Sequence, residues 1–175
     1  PGPRVLRVVG REGAAEVAFP LLAPLPRQGR FQGFSTDDVI YLLMPDRFAN
    51  GDTRNDEPPA SAGLLDRKKA RFYHGGDLQG VIDRLPYLKD LGVTALWLNP
   101  WYDNNNRLNQ TETYDNQPVT DYHGYGAIDF YGVEDHFGDL ATLKRLVEEA
   151  HRLGLKVIQD QVANHSGPYH PWVAD

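Results

Sequence analysis

The chain has 175 residues, of which 41% are hydrophobic and 24% charged, and its formal net charge is −6 at pH 7. This composition indicates one folded globular domain rather than a disordered chain, but the length is too short for a complete large barrel. The net negative charge argues against nucleic acids and anionic membranes as partners, because both bind through cationic side chains. The sequence has no apolar run of ~20 residues that could span a membrane, and the lack of cysteine excludes disulfides and thiol catalysis.

Residues 1–36 differ in composition from the rest of the chain. They are rich in proline, glycine and arginine, and their apolar runs are short. This pattern predicts one or two strands followed by a proline-rich linker that contains Pro20, Pro24 and Pro26. We therefore expect 1–36 to be the end of one domain and 37–175 to belong to another.

The first predicted βα unit begins at the apolar run VIYLLM, residues 39–44. A continuous apolar run of this length predicts a strand covered on both faces. A polar loop, 45–76, leads to a helix that begins after Asp77, a favourable N-cap residue. Pro86 predicts a kink or a new first turn within this helix, and Gly92 predicts its end before a second strand at 93–98.

The second unit repeats this order. A long loop, 99–138, precedes a helix capped by Asp139 and ended by Gly154, and a third strand follows from residue 155. Both long loops follow strands, so an α/β fold with a parallel sheet and elaborate loops at one edge is predicted, as in a (β/α)8 barrel or a doubly wound sheet. Three strands cannot close a barrel, so we expect a truncated domain.

Polar side chains follow the third predicted strand at Asp160, Asn164 and His165. In parallel α/β folds, ligands bind beyond the carboxyl ends of the strands, which favours a functional site here. The alternative is a loop whose carboxylate and amide stabilise a turn. A transition-metal hydrolase using Asp160, His165 and His170 is a weaker alternative, because the sequence has no His-x-His or His-Glu-x-x-His pattern.

The first loop contains NGDTRND at residues 50–56, with four side chains that carry oxygen in addition to its threonine. Ca²⁺ requires six to eight oxygen ligands, and a short acidic loop with a glycine can supply several of them. A solvated turn is the alternative, because Asn, Asp and Gly are also the common turn residues. A second acidic turn, Gly75 to Asp77, could add a carbonyl and a carboxylate.

The second loop combines aromatic and polar side chains, which suit either the faces and hydroxyl groups of sugars or ordinary packing. Glycosidases generally need two carboxyl groups, and Asp160 has no obvious partner in sequence. Asp121 and Asp129 are candidates. Glu134 and Asp135 are more simply interpreted as a solvated stretch before the next helix.

Four segments of the chain together resemble the α-amylase family of glycoside hydrolases, family 13, and most closely its cyclomaltodextrinase and neopullulanase group. These segments are DVIYLLMPDRFANGDTRND at 38–56, GGDLQGVIDRLPYLKDLGVTALWL at 75–98, YHGYGAIDFYGVEDHFG at 122–138 and GLKVIQDQVANH at 154–165. They lie between residues 38 and 165, in the order of the family. The long, Asn-rich stretch at 104–120 departs from the family pattern and leaves the substrate preference open.

The resemblance implies roles for particular residues. Asp160 would be a structural carboxylate of the site, His165 and His123 would contact the bound sugar, and Tyr125 would stack on it. The implied cofactor is Ca²⁺, bound by Asn50, Asp52, Asn55, Asp56, the carbonyl of Gly75 and the carboxylate of Asp77. Asn164 matches a different calcium ligand of classical α-amylases, and its role here stays open.

The resemblance also implies that 37–175 are the N-terminal part of a (β/α)8 barrel, ending after the third strand, and that 1–36 are the tail of a β-sandwich. The full-length protein would be a retaining α-glucan hydrolase, acting on α-1,4 or α-1,6 bonds in cyclodextrins, pullulan, starch or maltooligosaccharides. Its nucleophilic Asp and acid Glu would follow later strands, so this chain would hold no catalytic residue and be inactive alone. A non-catalytic carbohydrate-binding module is the alternative. A periplasmic or extracellular bacterial location and a homodimer are also implied.

Overall fold

A computed structural model describes residues 2–11, 13–21 and 33–173, which divide into two compact units, Pro1–Phe34 and Ser35–Asp175. The strands are β1 (Gly2–Gly10), β2 (Gly13–Leu21), β3 (Ile40–Leu43), β4 (Ala95–Leu98), β5 (Asp103–Asn104), β6 (Asn109–Tyr114), β7 (Gln117–Val119), β8 (Ala127–Asp129) and β9 (Lys156–Gln159). The α-helices are α1 (Pro45–Phe48), α2 (Leu78–Asp90) and α3 (Leu140–Arg152). Two 3-10 turns, Thr53–Asn55 and Pro59–Ser61, lie between α1 and α2.

The first unit is an antiparallel hairpin of β1 and β2. The predicted strands are therefore present, but Pro20 lies within β2 opposite Pro3 and not in a linker. Pro24 and Pro26 lie outside the described residues.

The second unit is organised around a three-stranded parallel sheet in the order β3, β4, β9. Leu43 pairs with Leu98, and Leu98 pairs with Gln159, so the carboxyl ends of all three strands meet at one edge. This topology confirms the predicted succession of strand, helix and strand. The polar residues that follow each strand are consequently brought to the same side of the sheet.

Both long helices begin and end as the sequence predicts. Asp77 Oδ1 accepts a hydrogen bond from the Gly80 amide at 2.6 Å, and Asp139 Oδ1 accepts one from the Thr142 amide at 2.7 Å. Gly92 and Gly154, just beyond the two helices, have φ values of +92° and +74°, which glycine adopts without steric cost. Helix α2 runs through Pro86 as one element and does not restart there.

One hydrophobic core joins α2, α3 and one face of the sheet. Its fully buried members include Leu78, Val81, Leu85, Leu88, Leu96, Leu98, Phe137 and Leu146. The prediction that the first strand is covered on both faces is wrong for the described structure: Leu43 is buried, whereas Ile40 and Leu42 are 46% and 58% exposed. The core contains only the face of β3 that carries Leu43.

The segment 99–138, predicted to be a loop, contains four short strands. β5 pairs with β8, and β6 pairs with β7 in a hairpin whose turn residues, Asp115 and Asn116, both have positive φ. None of the helices in the described parts of the chain has the length and apolarity needed to cross a membrane.

Candidate functional site

Asp160 stands at the centre of the polar groups beyond the sheet. It directly follows β9, and its Oδ2 atom accepts hydrogen bonds from the Tyr125 hydroxyl at 2.8 Å and from Trp97 Nε1 at 3.1 Å. Trp97 belongs to β4 and Tyr125 to the second loop, so one carboxylate joins three segments. Burial, together with this hydrogen bond, raises the pKa of Tyr125 to about 12, and the phenol therefore remains a donor at neutral pH.

The three residues predicted to contact sugar lie together. His165 Nε2 is 3.3 Å from the carbonyl oxygen of Tyr125, and the Tyr125 amide donates to His123 Nδ1 at 3.1 Å. The ring centroids of His123 and Tyr125 are 5.7 Å apart with an interplanar angle of 33°. Because Tyr125 is 37% exposed, part of its ring is open to a ligand.

His123 is held as a neutral imidazole by its surroundings. Burial lowers its pKa and outweighs the opposing effect of Asp121, whose Oδ1 is 3.9 Å from His123 Nε2. The carbonyl oxygen of His123 accepts a hydrogen bond from Asn99 Nδ2 at 3.1 Å. Since Nδ1 accepts the bond from Tyr125, the neutral ring carries its proton on Nε2. It therefore presents a donor on that side.

Trp97 and Asn99 are components of this site that the sequence interpretation missed. Trp97 lies in an apolar strand, and its sequence neighbours Leu96 and Leu98 face the core. The alternation of side chains along a strand was the available signal, because it places Trp97 on the opposite face.

Gly124 is also essential to the shape of the second loop: its φ is +89°, and a Cβ there would collide with the Pro100 carbonyl oxygen.

Asn164 and His170, the other polar residues of the third loop considered above, have different surroundings. Asn164 is exposed and lines a cavity of about 480 Å³ together with Phe130 and His165. The ring of His170 packs 4.2 Å from that of Trp172, whereas His165 contacts Tyr125. The two histidines of the transition-metal alternative thus have different partners.

The carboxylate of Asp77 connects the first loop to helix α2. Besides capping the helix, it accepts the amide of Gly51 at 3.1 Å and that of Asp52 at 2.8 Å. The side chain is fully buried, and burial raises its pKa despite these hydrogen bonds. Asp77 therefore fixes the backbone of the predicted calcium loop.

Part of the predicted calcium set converges at one point. Asn50 Nδ2 donates to Asp56 Oδ1 at 2.6 Å, and a Cβ at Gly75 would lie 2.6 Å from the same oxygen. Asn55 Oδ1 is buried without a hydrogen-bond partner, as expected of an oxygen that could bind a cation. Asn50, Asp56 and Gly75 thus lie together, and Asn55 adds a buried oxygen without a partner in the same loop.

Each of the two carboxylates in the 50–56 loop pairs with an arginine side chain. Arg54 bonds both oxygens of Asp52 and, through its side-chain hydrogen bond, lowers the pKa of that carboxyl to about 2. Arg67 lies 3.2 Å from Asp56 Oδ2. The described residues contain no cluster of three histidine, cysteine, aspartate or glutamate side chains suited to a metal. A cation here would rely on amide and carbonyl oxygens in addition to Asp56.

Glu134 is buried, and the prediction of a solvated stretch is wrong for this residue. Its side chain accepts the amides of Asn104 at 2.9 Å and His136 at 3.1 Å, and only 1% of the residue is exposed. Burial raises its pKa to about 7. Asp135 is exposed, as predicted. Glu134 therefore organises the second loop.

The comparison with known families agrees with the resemblance of the four segments. Residues 42–175 match the family described as alpha amylase, catalytic domain. This chain belongs to the α-amylase family. Neopullulanase 2 from Thermoactinomyces vulgaris is 43% identical over 135 residues, which cover 77% of this chain and 20% of that protein. A cyclomaltodextrinase from a Bacillus species is 40% identical over 140 residues, covering 79% of this chain and 22% of that protein.

Solved structures give the same family. A cyclomaltodextrin glucanotransferase with a three-domain ABC distribution matches with 44% identity and a TM-score of 0.70, covering 75% of this chain and 26% of its own. A cyclic alpha-maltosyl-(1→6)-maltose hydrolase from Arthrobacter globiformis matches with 30% identity and a TM-score of 0.63, covering 79% and 28%. The α-amylase-family chain spans about a fifth of the length of the two relatives named above.

Proposed function

We propose that the full-length protein is a retaining α-glucan hydrolase and that residues 37–175 form the first three strands of its (β/α)8 barrel. The observation that carries this proposal is the joining of Trp97, Tyr125 and Asp160 at the carboxyl edge of the sheet, with His165 and His123 beside the tyrosine. In (β/α)8 enzymes this edge carries the active site. The proposed substrates are cyclodextrins, pullulan, starch or maltooligosaccharides.

The face of the sheet that carries Trp97 supports the barrel proposal. Leu42 pairs with Trp97, and Trp97 pairs with Ile158, on the face opposite the core. Leu42 and Trp97 are 58% and 39% exposed. In a closed barrel, further strands would bury such side chains in the interior.

The site binds and orients a sugar in this proposal. The open face of Tyr125 covers the apolar face of a glucosyl ring, and His123 and His165 lie where they can bond its hydroxyl groups. Asp160 fixes the tyrosine hydroxyl, so the ring is oriented before the substrate binds. The related enzymes include a neopullulanase and a cyclomaltodextrinase, whose names point to α-glucans as the substrate class.

Bond cleavage requires two carboxyl groups that the resemblance places after later strands. An Asp attacks the anomeric carbon while a Glu protonates the departing glycosidic oxygen, and water then hydrolyses the glycosyl-enzyme with the same Glu acting as base. We propose that residues 1–175 alone do not turn over α-glucans. Their contribution is to bind and position the sugar.

Ca²⁺ is part of the proposal as a structural ion. Asn50, Asn55, Asp56 and the carbonyl of Gly75 would hold it, and it would connect the 50–56 loop to the turn before α2. This loop already depends on Asp77 through the amides of Gly51 and Asp52. The ion would stabilise the same connection.

The test is hydrolysis of β-cyclodextrin, pullulan and soluble starch by the full-length protein and by its Tyr125→Phe variant. Loss of a hydrogen bond to a charged carboxylate costs about 1.5–3 kcal/mol, so we expect kcat/KM to fall roughly 10- to 100-fold. Tyr87→Phe, which alters an exposed tyrosine of α2, is the matched control and should leave the rate unchanged. Circular dichroism of both variants checks that the fold is retained.

Turnover of an α-glucan that is lost selectively in Tyr125→Phe supports the proposal. Wild-type protein that binds maltoheptaose but hydrolyses none of the three substrates favours the non-catalytic carbohydrate-binding module. Wild-type protein that neither binds nor hydrolyses an α-glucan refutes both.

A further inference from the structure

Asn50 and Gly51 form the single Asn-Gly pair in the 175 residues. In such a pair the backbone nitrogen of the glycine can attack the side-chain amide carbon of the asparagine, because glycine has no side chain that hinders the approach. The product is a cyclic imide, which water opens to aspartate or isoaspartate. Both residues are exposed, so water has access to this pair.

The fold itself requires glycine at position 51. A Cβ there would lie 2.4 Å from the Gly80 amide nitrogen and 2.6 Å from the carbonyl carbon of Gln79, in the first turn of α2. That turn is held in place, because Asp77 Oδ1 accepts the Gly80 amide at 2.6 Å. The packing of the loop on the helix therefore excludes the larger residues that would slow the reaction.

The side chain of Asn50 is also constrained by its contacts. Its Nδ2 atom donates to Asp56 Oδ1 at 2.6 Å, and a Cβ at Gly75 would lie 3.0 Å from the same nitrogen. A carboxylate in place of this amide would face the carboxylate of Asp56, and the two like charges would repel each other. The loop thus contains a reactive pair that its own packing maintains.

In the folded loop the reacting groups are held by separate partners. The Gly51 amide donates to Asp77 Oδ1 at 3.1 Å, while the side-chain amide of Asn50 donates to Asp56. Attack requires the Gly51 nitrogen to give up this hydrogen bond and turn toward Cγ of Asn50. The Asp77 carboxylate opposes that movement, because it is fully buried and also binds the Asp52 amide.

We propose that Asn50 is a deamidation site whose rate is set by the Asp77 carboxylate. A bond forms between the Gly51 nitrogen and Cγ of Asn50, and the bond from Cγ to Nδ2 breaks. Nδ2 leaves as ammonia, taking up the proton of the Gly51 amide. One water molecule then cleaves a carbonyl–nitrogen bond of the imide, which restores an amide N–H and leaves a carboxyl group.

Deamidation changes both the charge and the length of the loop. The new carboxylate faces Asp56 where Asn50 had donated a hydrogen bond, and Arg67, 3.2 Å from Asp56 Oδ2, offsets part of the added charge. The isoaspartate product also adds a methylene to the backbone, which displaces Gly51 from its close contact with Gly80. The 50–56 loop consequently loosens from α2 as the protein ages.

The experiment follows the conversion of each asparagine by peptide mass spectrometry, with the full-length protein kept in mildly alkaline buffer and excess chelator. Wild type is compared with Asp77→Ala and with Asp139→Ala, which removes the cap of the other long helix and is the matched control. We expect Asn50 to convert roughly tenfold faster in Asp77→Ala, because the Gly51 amide is released. Asp139→Ala should leave this rate unchanged, and the exposed Asn116, which precedes glutamine, should react equally slowly in all three proteins.

A second measurement needs no variant. In wild type unfolded by urea, Asn50 should convert at least roughly tenfold faster than in the folded protein, because unfolding removes every contact of the loop. Asn50→Asp tests the consequence for the loop. Its urea midpoint in excess chelator should lie below that of Asn116→Asp, which adds the same charge on the β6–β7 hairpin.

The outcomes decide the proposal without reference to the proposed function, since no α-glucan is used. Faster conversion of Asn50 in Asp77→Ala alone, together with its protection in folded wild type, supports the site. Equal rates at Asn50 in Asp77→Ala and Asp139→Ala overturn it. If Asp77→Ala does not fold, equal rates in folded and unfolded wild type overturn it instead.

Discussion

Replacing Asp77 by alanine should destabilise the protein more than the same change at Asp139. Both residues cap a helix of 13 residues, but Asp77 also accepts the amides of Gly51 and Asp52, whereas the described contacts of Asp139 stay within its own helix. Loss of a cap costs about 1 kcal/mol. Each of the two further amides adds about 1 kcal/mol when it loses its partner. We expect about 3 kcal/mol for Asp77→Ala and about 1 kcal/mol for Asp139→Ala.

The assay is urea unfolding of the full-length protein, followed by tryptophan fluorescence in excess chelator so that bound metal does not contribute. Asp77→Asn provides a further control, because it retains one oxygen as an acceptor and removes the charge. The free energy of unfolding of Asp77→Asn should lie between those of wild type and Asp77→Ala. An Asp77→Ala protein no less stable than Asp139→Ala would refute the conclusion that the carboxylate anchors the 50–56 loop.

Three further predictions concern pH, metal and backbone conformation. Burial raises the pKa of Glu134 from its ordinary 4.5 to about 7, so its contribution to stability is present at low pH and is lost as the pH rises through about 7. The stability of wild type relative to Glu134→Gln should consequently fall by about 2 kcal/mol from pH 5 to pH 8, and a constant difference in unfolding free energy would contradict this. Excess chelator should lower the melting temperature of the wild type, and an unchanged melt would count against the calcium proposal. Gly124→Ala should destabilise the protein more than Gly63→Ala does in thermal melts, because both have φ near +90° but only Gly124 faces a backbone carbonyl, and equal losses would contradict this.

The order of the three parallel strands and the two long helices could be predicted because it depends on local signals. Asp77 and Asp139 are caps that act within one turn of their own helices, and Gly92 and Gly154 end those helices through positive φ. The parallel pairing of the three strands then follows from the short connections between helix and strand. The four segments that resemble the family contain Tyr125, His165 and Asp160, which lie together in the structure.

The errors arose where the surroundings of a residue come from distant parts of the chain. Glu134 follows a polar loop in sequence, but its carboxylate is enclosed by the backbone of Asn104, thirty residues away. The hairpin of β6 and β7 was missed because its polar residues lack the apolar alternation that marks a strand. The face of β3 that carries Ile40 and Leu42 is exposed in the described residues, although its sequence is as apolar as that of a covered strand.

The sequence by itself determined the family, the helix boundaries and the residues that we propose to bind sugar, because these depend on local spacing and on short segments of characteristic residues. Only the tertiary structure decided that Trp97 bonds Asp160, that Asp77 holds the 50–56 loop, and that Gly51 packs against the first turn of α2. The first two contacts join residues that are 63 and 26 positions apart in the sequence. Such pairings depend on how the strands and loops meet in space, which local spacing does not specify.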